Sequence, residues 1–376
     1  MPTTVLLTPP GRGAVASLLF DGPVALIDAA GLFRAANGKP LAEQAIDVVV
    51  FGKWGAEPGE EVVLCRTSET TLEIHCHGGQ AARQAIARDL ERLGAPPCDP
   101  WEYIERTDGV FARMAARGLA MAPTPRTAAY ITHQTHGPLR DELIRLSDET
   151  TSPEEMSAII ERLLAWEAFG THLTEPWQVV LFGRPNVGKS SLMNRLAGFE
   201  RAIVLDVPGT TRDLVTAEIA LDGWPIRLTD TAGLRAQADE LELSGIERAR
   251  SRITSADLRI LVLDRAAPPQ DEELELLRTS TAPLVVANKV DQRDAWGTAL
   301  PSEATPLSAR TGEGVDELIT RILERLVPQV PSVKTPVAFS REQIATLRAA
   351  RMEIAQGDEE SARLRLRAIA PKKPSA

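Results

Sequence analysis

The run Gly183-Arg184-Pro185-Asn186-Val187-Gly188-Lys189-Ser190 has the spacing G-x-x-x-x-G-K-S. Glycines at that interval let backbone N–H groups close round an anion, and a helix opening directly after them adds a favourable dipole. Such a loop holds a phosphate chain. Gly183, Asn186, Val187 and Gly188 form its backbone, Lys189 meets the outer phosphates, and the Ser190 hydroxyl is a ligand for Mg2+, with Ser191 next to it. The setting agrees, because the apolar run WQVVLFG precedes the loop and KSSLMNRLAG follows it.

Three further pieces follow in order. Asp230-Thr231-Ala232-Gly233 lies 47 residues after Gly183, at the end of IRLTD. An aspartate there holds Mg2+ through water, and the Gly233 N–H meets a γ-phosphate. Alone, D-x-x-G is common in turns; its place after the first loop gives it weight. Asn288-Lys289-Val290-Asp291 closes the run PLVVAN, 105 residues after Gly183. The Asp291 carboxylate matches two N–H groups on the Watson–Crick edge of guanine, whereas adenine would leave that acid unpaired. Ser308-Ala309 offers a backbone N–H to the guanine carbonyl oxygen. Between the first two pieces, Pro208-Gly209-Thr210-Thr211-Arg212-Asp213 suits a switch loop whose Thr211 hydroxyl joins Mg2+. The chemistry implied is binding of GTP and GDP and Mg2+-dependent hydrolysis of GTP. Leu234 stands where Ras-like enzymes place a water-orienting glutamine. Leucine cannot orient water, and the spacing leaves Gln237, Asp239, Glu240 and Glu242 open as substitutes.

These loops need a scaffold. Short apolar runs alternating with helical segments from Trp177 to Val327 predict a doubly wound parallel sheet, an α/β G domain at 176–328. Before it, 126–175 carries apolar residues at spacings of three and four and predicts helix; after a proline-marked linker, 329–376 does so again. One economical arrangement inserts the G domain between two pieces of a helical domain. Residues 1–125 predict a mixed α+β domain, with strands at DVVVFG, EEVVLC and TLEIHC and a helix at 80–93. The fold class is therefore α/β and multidomain.

Composition narrows the alternatives. A formal charge of −10 argues against a general nucleic-acid binder, since phosphate contacts need clustered lysine and arginine. With 43% hydrophobic and 25% charged residues, the chain is an ordinary globular protein rather than a disordered or fibrous one. Three cysteines are too few for a disulfide framework, which favours the cytoplasm. The opening MPTTVLLTPPGRG lacks the basic start of a signal peptide, and no apolar run is long enough to span a membrane. His75, Cys76 and His77 beside Cys65 lack the second ligand group of a zinc site and read as strand packing. The basic tail, Arg363 to Lys373, reads as a solvated helix face rather than a tRNA contact.

The segments GRPNVGKSSLMNRLAG, DVPGTTRD, DTAGLR, SGIERA and NKVD resemble the TRAFAC GTPases and, within them, the MnmE/TrmE-type tRNA modification GTPases. TPPGRGAVA and LEIHCHGG are similar to that family's N-terminal segments. The resemblance implies GTP hydrolysis on dimerisation of the G domain, with K+ in place of an arginine finger. Asn186 matches the K+-ligating asparagine, and the loop carrying Leu205 and Val207 matches the backbone that completes the cage. Glu242 matches the acidic residue that orders the attacking water. The resemblance also implies tRNA, an FAD-dependent partner protein and formyl-tetrahydrofolate, with Glu73 on a folate-contact position.

Departures are visible. Leu19 stands where the family has an arginine, and 117–127 lacks the family's asparagine and lysine. The family's closing Phe-Cys-Ile-Gly-Lys segment has no counterpart, and no cysteine follows Cys98. These departures raise a second reading, a regulatory or assembly GTPase that keeps the switch without the modification chemistry.

Overall fold

The computed structural model describes residues 1–9, 13–199, 202–204 (as backbone), 216–230, 256–280 and 283–372. The chain divides into two compact units, Met1–Arg113 with Lys372, and Met114–Pro371.

Period-two alternation builds the first unit. Its strands are β1 (Thr3–Leu6), β2 (Val15–Asp21), β3 (Phe33–Ala35), β4 (Val49–Trp54), β5 (Glu60–Arg66), β6 (Thr71–His77) and β7 (Pro97–Cys98), in the sheet order β3-β4-β5-β6-β2-β1-β7. Neighbours run antiparallel except β1 and β7. Leu18, Phe20, Leu72 and Ile74 point to one face and pack with Ile86 and Leu90 from the helix Gln80–Arg92. That spacing of four on the helix and of two on the strands puts both apolar sets into one core. Val49, Phe51, Glu73, His75 and His77 lie on the other face, half-buried or exposed. Cys76 alternates inward, and burial pushes its thiol up, away from the metal-binding thiolate. Among the described residues, no three His, Cys, Asp or Glu side chains cluster as a metal site.

The second unit carries β8 (Trp177–Phe182), β9 (Ala202–Val204), β10 (Thr216–Leu221), β11 (Trp224–Asp230), β12 (Leu258–Asp264), β13 (Leu284–Asn288) and β14 (Thr305–Leu307). The sheet order is β14-β13-β12-β8-β11-β10-β9. The continuous apolar runs of β8, β12 and β13 suit strands buried on both faces. The expected parallel sheet holds for β14, β13, β12, β8 and β11. It fails beyond them: β10 is antiparallel to β11, and β9 to β10. The reason is Asp222-Gly223, which joins Leu221 to its register partner Trp224 with φ of 48° and 75°. A two-residue hairpin turn that matches strand twist needs positive φ at both positions, and Asp-Gly provides it. Thr124 Oγ1 donates to Gly223 O at 2.7 Å, and Arg126 Nη1 donates to Asp222 O at 2.6 Å. The Arg126 guanidinium also lies 4.3 Å from the Trp224 ring centroid.

Helices flank this sheet on both sides in the sequence. Pro125–His136, Pro153–Leu164 and Arg341–Ala355 each start with a capping box, at Thr124, Ser152 and Ser340. Arg341–Ala355 packs on Pro153–Leu164 and on Glu359–Ile369, and the last packs on Pro138–Ser147. Buried Gln134 accepts from Val337 N and donates to Thr335 O, both at 3.0 Å, fixing the incoming segment. Arg365 and Arg367 are exposed, as expected of a solvated face, whereas Arg363 is half-buried. Arg363 donates to the carbonyls of Asp148 and Thr151, Arg365 pairs with Glu353, and Arg367 pairs with Glu149. Asp148 is the C-cap of the helix Pro138–Ser147, where carbonyls lack helical partners, which suits a donor such as Arg363. Among the described residues, no helix is long and apolar enough to cross a membrane.

Candidate nucleotide-binding site

β8 sits between β12 and β11, and Gly183–Lys189 leaves its C-terminal end. Crevices at the carboxyl ends of such strands are where ligands bind in open α/β sheets. Gly188 has φ of 99° before the helix Lys189–Ala197. A Cβ at Gly188 would lie 2.3 Å from Asn288 Nδ2, so only glycine fits against that amide. Lys189 is 4% exposed, and its Nζ donates to Gly183 O at 3.0 Å and Arg184 O at 2.7 Å. The loop thus folds round its own lysine.

Parallel pairing of β11 with β8 sets Asp230 beside Leu181, level with the loop. Ser190 Oγ donates to Asp230 Oδ2 at 2.5 Å. A hydroxyl and a carboxylate side by side are the hard oxygen donors Mg2+ takes, so the residues present fit that ion.

The Asn288–Asp291 and Ser308–Ala309 segments converge from β13 and β14. Asn288 ends β13; its Nδ2 donates to Val187 O at 2.8 Å and its Oδ1 accepts from Ala309 N at 3.0 Å. One buried amide thereby ties the phosphate loop to the loop after β14. Lys289, at φ 71°, donates through Nζ to Asn186 O at 3.1 Å and pairs with Asp264 Oδ2 at 2.6 Å. Asp291 accepts from Ser308 Oγ on Oδ1. Its Oδ2 accepts from Arg310 Nε at 3.0 Å and Nη2 at 2.7 Å. Hydrogen bonds from Ser308 and then Arg310 hold the Asp291 carboxyl below the usual carboxylate range, keeping it an acceptor.

Gly183, Asn186, Val187, Gly188, Lys189, Ser190 and Asp230 thus meet at one end, and Asn288, Lys289, Asp291, Ser308 and Ala309 at the other. Ser191 is exposed on the helix beside Ser190. Thr211, Gly233, Glu242, Leu205 and Val207 lie outside the described residues, as do Gln237, Asp239 and Glu240. Glu73 belongs to the first unit, on β6, where its register partner on β2 is Leu19 and His75 Nε2 lies 3.4 Å away. Four contributors were absent from the sequence reading. Asp264 pairs with Lys289; Arg310 pairs with Asp291; Arg195 Nε donates to Ala309 O at 2.9 Å; and buried Glu273 accepts from Arg184 at 3.3 Å. Asp264 at the end of RILVLD and Arg310 directly after Ser308-Ala309 were the legible signals.

The fold and these loops define a P-loop GTPase domain, the apparatus of an enzyme that hydrolyses GTP. A family model described as a 50S ribosome-binding GTPase matches residues 178–289. The tRNA modification GTPase MnmE of Synechococcus sp. (strain WH7803) is 34% identical over 84% of this chain and 79% of its own. That of Hyphomonas neptunium is 33% identical over 92% of this chain and 87% of its own. That of Bordetella bronchiseptica is 34% identical over 89% of this chain and 83% of its own. Among solved structures, the G domain of T. maritima FeoB is 26% identical, covering 40% of this chain and 99% of that one, with a TM-score of 0.28. The chain belongs to the MnmE family of tRNA modification GTPases.

Proposed function

We propose that this protein is the GTPase component of tRNA wobble-uridine modification, cycling between GTP and GDP with its G domain as a K+-assisted, dimerisation-dependent switch. The observation that carries the reading is the shared brace: Asn288 holds the phosphate loop and the base loop together, with Asp291 and the Ser190–Asp230 pair at either end. In this reading Asp291 and Ser308–Ala309 select guanine, and Lys189 draws negative charge from the outer phosphates. Glu242 orders the water that attacks the γ-phosphorus, breaking its bond to the bridging oxygen and releasing GDP. Mg2+ at Ser190, Thr211 and Asp230, and K+ at Asn186 and the Leu205–Val207 backbone, would supply positive charge to the developing phosphates. The contribution is mostly positioning and electrostatics.

The domain plan that goes with this function has an α+β domain at 1–125, a helical domain formed by 126–175 and 329–376, and the G domain at 176–328 inserted within it. The packing of Arg341–Ala355 on Pro153–Leu164 supports that plan. Cytoplasmic tRNA and an FAD-dependent partner protein complete the reading, with a formyl-folate near Glu73. Leu19 opposite Glu73 favours the second reading at that point, a regulatory or assembly GTPase without folate chemistry, because an apolar side chain replaces the expected cation.

GTPase rates in equimolar KCl and NaCl test the switch: faster turnover in K+ is expected, and equal rates remove the potassium part. Mass spectrometry of wobble uridines in cells lacking the gene tests the pathway. Calorimetry with a formyl-folate separates the two readings, binding supporting the first.

A further inference from the structure

Oδ2 of Asp291 is fully engaged by one side chain. Arg310 brings two N–H groups to it, from Nε and Nη2, while Ser308 occupies Oδ1. An ionised carboxylate oxygen offers about two lone-pair sites, so a further donor at Oδ2 must displace one of these. The N–H pair on one edge of a guanidinium has the same chemistry as the N1–H and N2–H pair of guanine: two near-parallel donors on an N–C–N unit. We propose that Arg310 is an entry-controlling residue of the guanine subsite, an internal surrogate for the base edge that must swing off Asp291 before guanosine nucleotides seat. This rests on the guanine-reading role given to Asp291 above.

The surroundings favour a swing of the side chain over an opening of the loop. Arg195 donates to the carbonyls of both Ala309 and Arg310, and Asn288 holds Ala309 N, so the Arg310 backbone is braced from two elements. The Arg310 side chain is 76% exposed, whereas the Asp291 side chain is 10% exposed. The carboxylate is therefore a fixed, sheltered acceptor and the guanidinium a movable cover. Because Arg310 is largely in solvent, the pair is modest in strength, and the covered form should outnumber the open one by a small factor. Nucleotide entry is slowed by that same factor, because only the open fraction is competent to bind.

Stopped-flow association of N-methylanthraniloyl-GDP with wild type and Arg310→Gln reads this directly. Glutamine keeps much of the side-chain length without the convergent donor pair. The expected result is an association rate raised roughly twofold to fivefold with the dissociation rate unchanged. Removing a positive charge would by itself slow the approach of a nucleotide, so a rise runs against simple electrostatics. An unchanged or lower association rate, or a faster dissociation rate, overturns the proposal; the latter would make Arg310 a clamp on the bound base. Asp291→Asn separates this from the underlying reading. That variant should lose preference for guanosine over xanthosine nucleotides. If it does so while Arg310→Gln changes nothing, the surrogate role alone fails; if it keeps the guanosine preference, the guanine-reading role fails with it.

Discussion

Asn288→Ala removes a side chain that serves two loops at once. It deletes the donor to Val187 O at 2.8 Å and the acceptor for Ala309 N at 3.0 Å. Asn288 and Val187 are each 2% exposed, so water cannot replace the lost partners without rearrangement. Each buried group left unpaired costs about 1–3 kcal/mol. Allowing for partial relaxation, the two together should cost roughly 2–4 kcal/mol, a large share of a typical domain's margin of about 5–15 kcal/mol. Because the phosphate loop and the base loop lose their common tie, affinity for GDP should fall about tenfold to a hundredfold, since each tenfold is about 1.4 kcal/mol. Asn288→Asp sharpens the test. It keeps the acceptor for Ala309 N but sets a carboxylate oxygen against the Val187 carbonyl, so it should be no milder than alanine. Urea unfolding with and without GDP, paired with titration of a fluorescent GDP, measures both effects. An alanine variant within about 0.5 kcal/mol of wild type and within about twofold in affinity would refute the reasoning, as would an aspartate variant of full stability.

Two further outcomes follow from ion pairs. Glu273 is 1% exposed and accepts from Arg184 of the phosphate loop at 3.3 Å and from the Gln270 amide at 3.1 Å. Glu273→Ala should cost about 1–3 kcal/mol in urea unfolding and Glu273→Gln less, because glutamine still accepts from Gln270 N; equal costs would remove the role of that oxygen. In the bend before β8, hydrogen bonds from Arg341 hold the Glu175 carboxyl below its ordinary value of 4.5. A depressed carboxyl adds stability above its unfolded pKa and loses it as pH falls through the folded one. Arg341→Ala should therefore lower stability at pH 7 by at most about 1 kcal/mol, since both groups are partly exposed. The gap in melting temperature should narrow as the pH falls below the ordinary value of 4.5, and one that stays constant through the acid range would exclude the ion pair as its source.

The nucleotide site was legible because each of its loops is local. The phosphate loop needs two glycines and a lysine at fixed spacing before a helix, and the guanine loop needs an acid three residues past a strand end. Short-range geometry of that kind is written in consecutive residues. Strand positions such as TLEIHC were legible for the same reason, since alternation of side chains reveals a half-buried strand. The antiparallel β10 was missed although Asp222-Gly223 announces a hairpin, because alternation of strands with helices elsewhere dominated the reading. The strands β1 and β2, Thr3–Leu6 and Val15–Asp21, were also missed, because TTVL is only four residues long and the apolar Val15 and Leu19 on the less buried side of VASLLFD blur its alternation.

By itself, then, the order of residues marked the loops proposed to bind phosphate and guanine, because their chemistry resides in side chains and amides a few positions apart. Tertiary structure alone decided that Asn288 reaches Val187, 101 positions away, that Asp264 steadies Lys289, and that Arg310 covers Asp291. Parallel pairing brings the ends of β8, β12 and β13 together, and that proximity depends on sheet order and register. No spacing along the chain encodes the distance between two strand ends; the packing of their buried faces does.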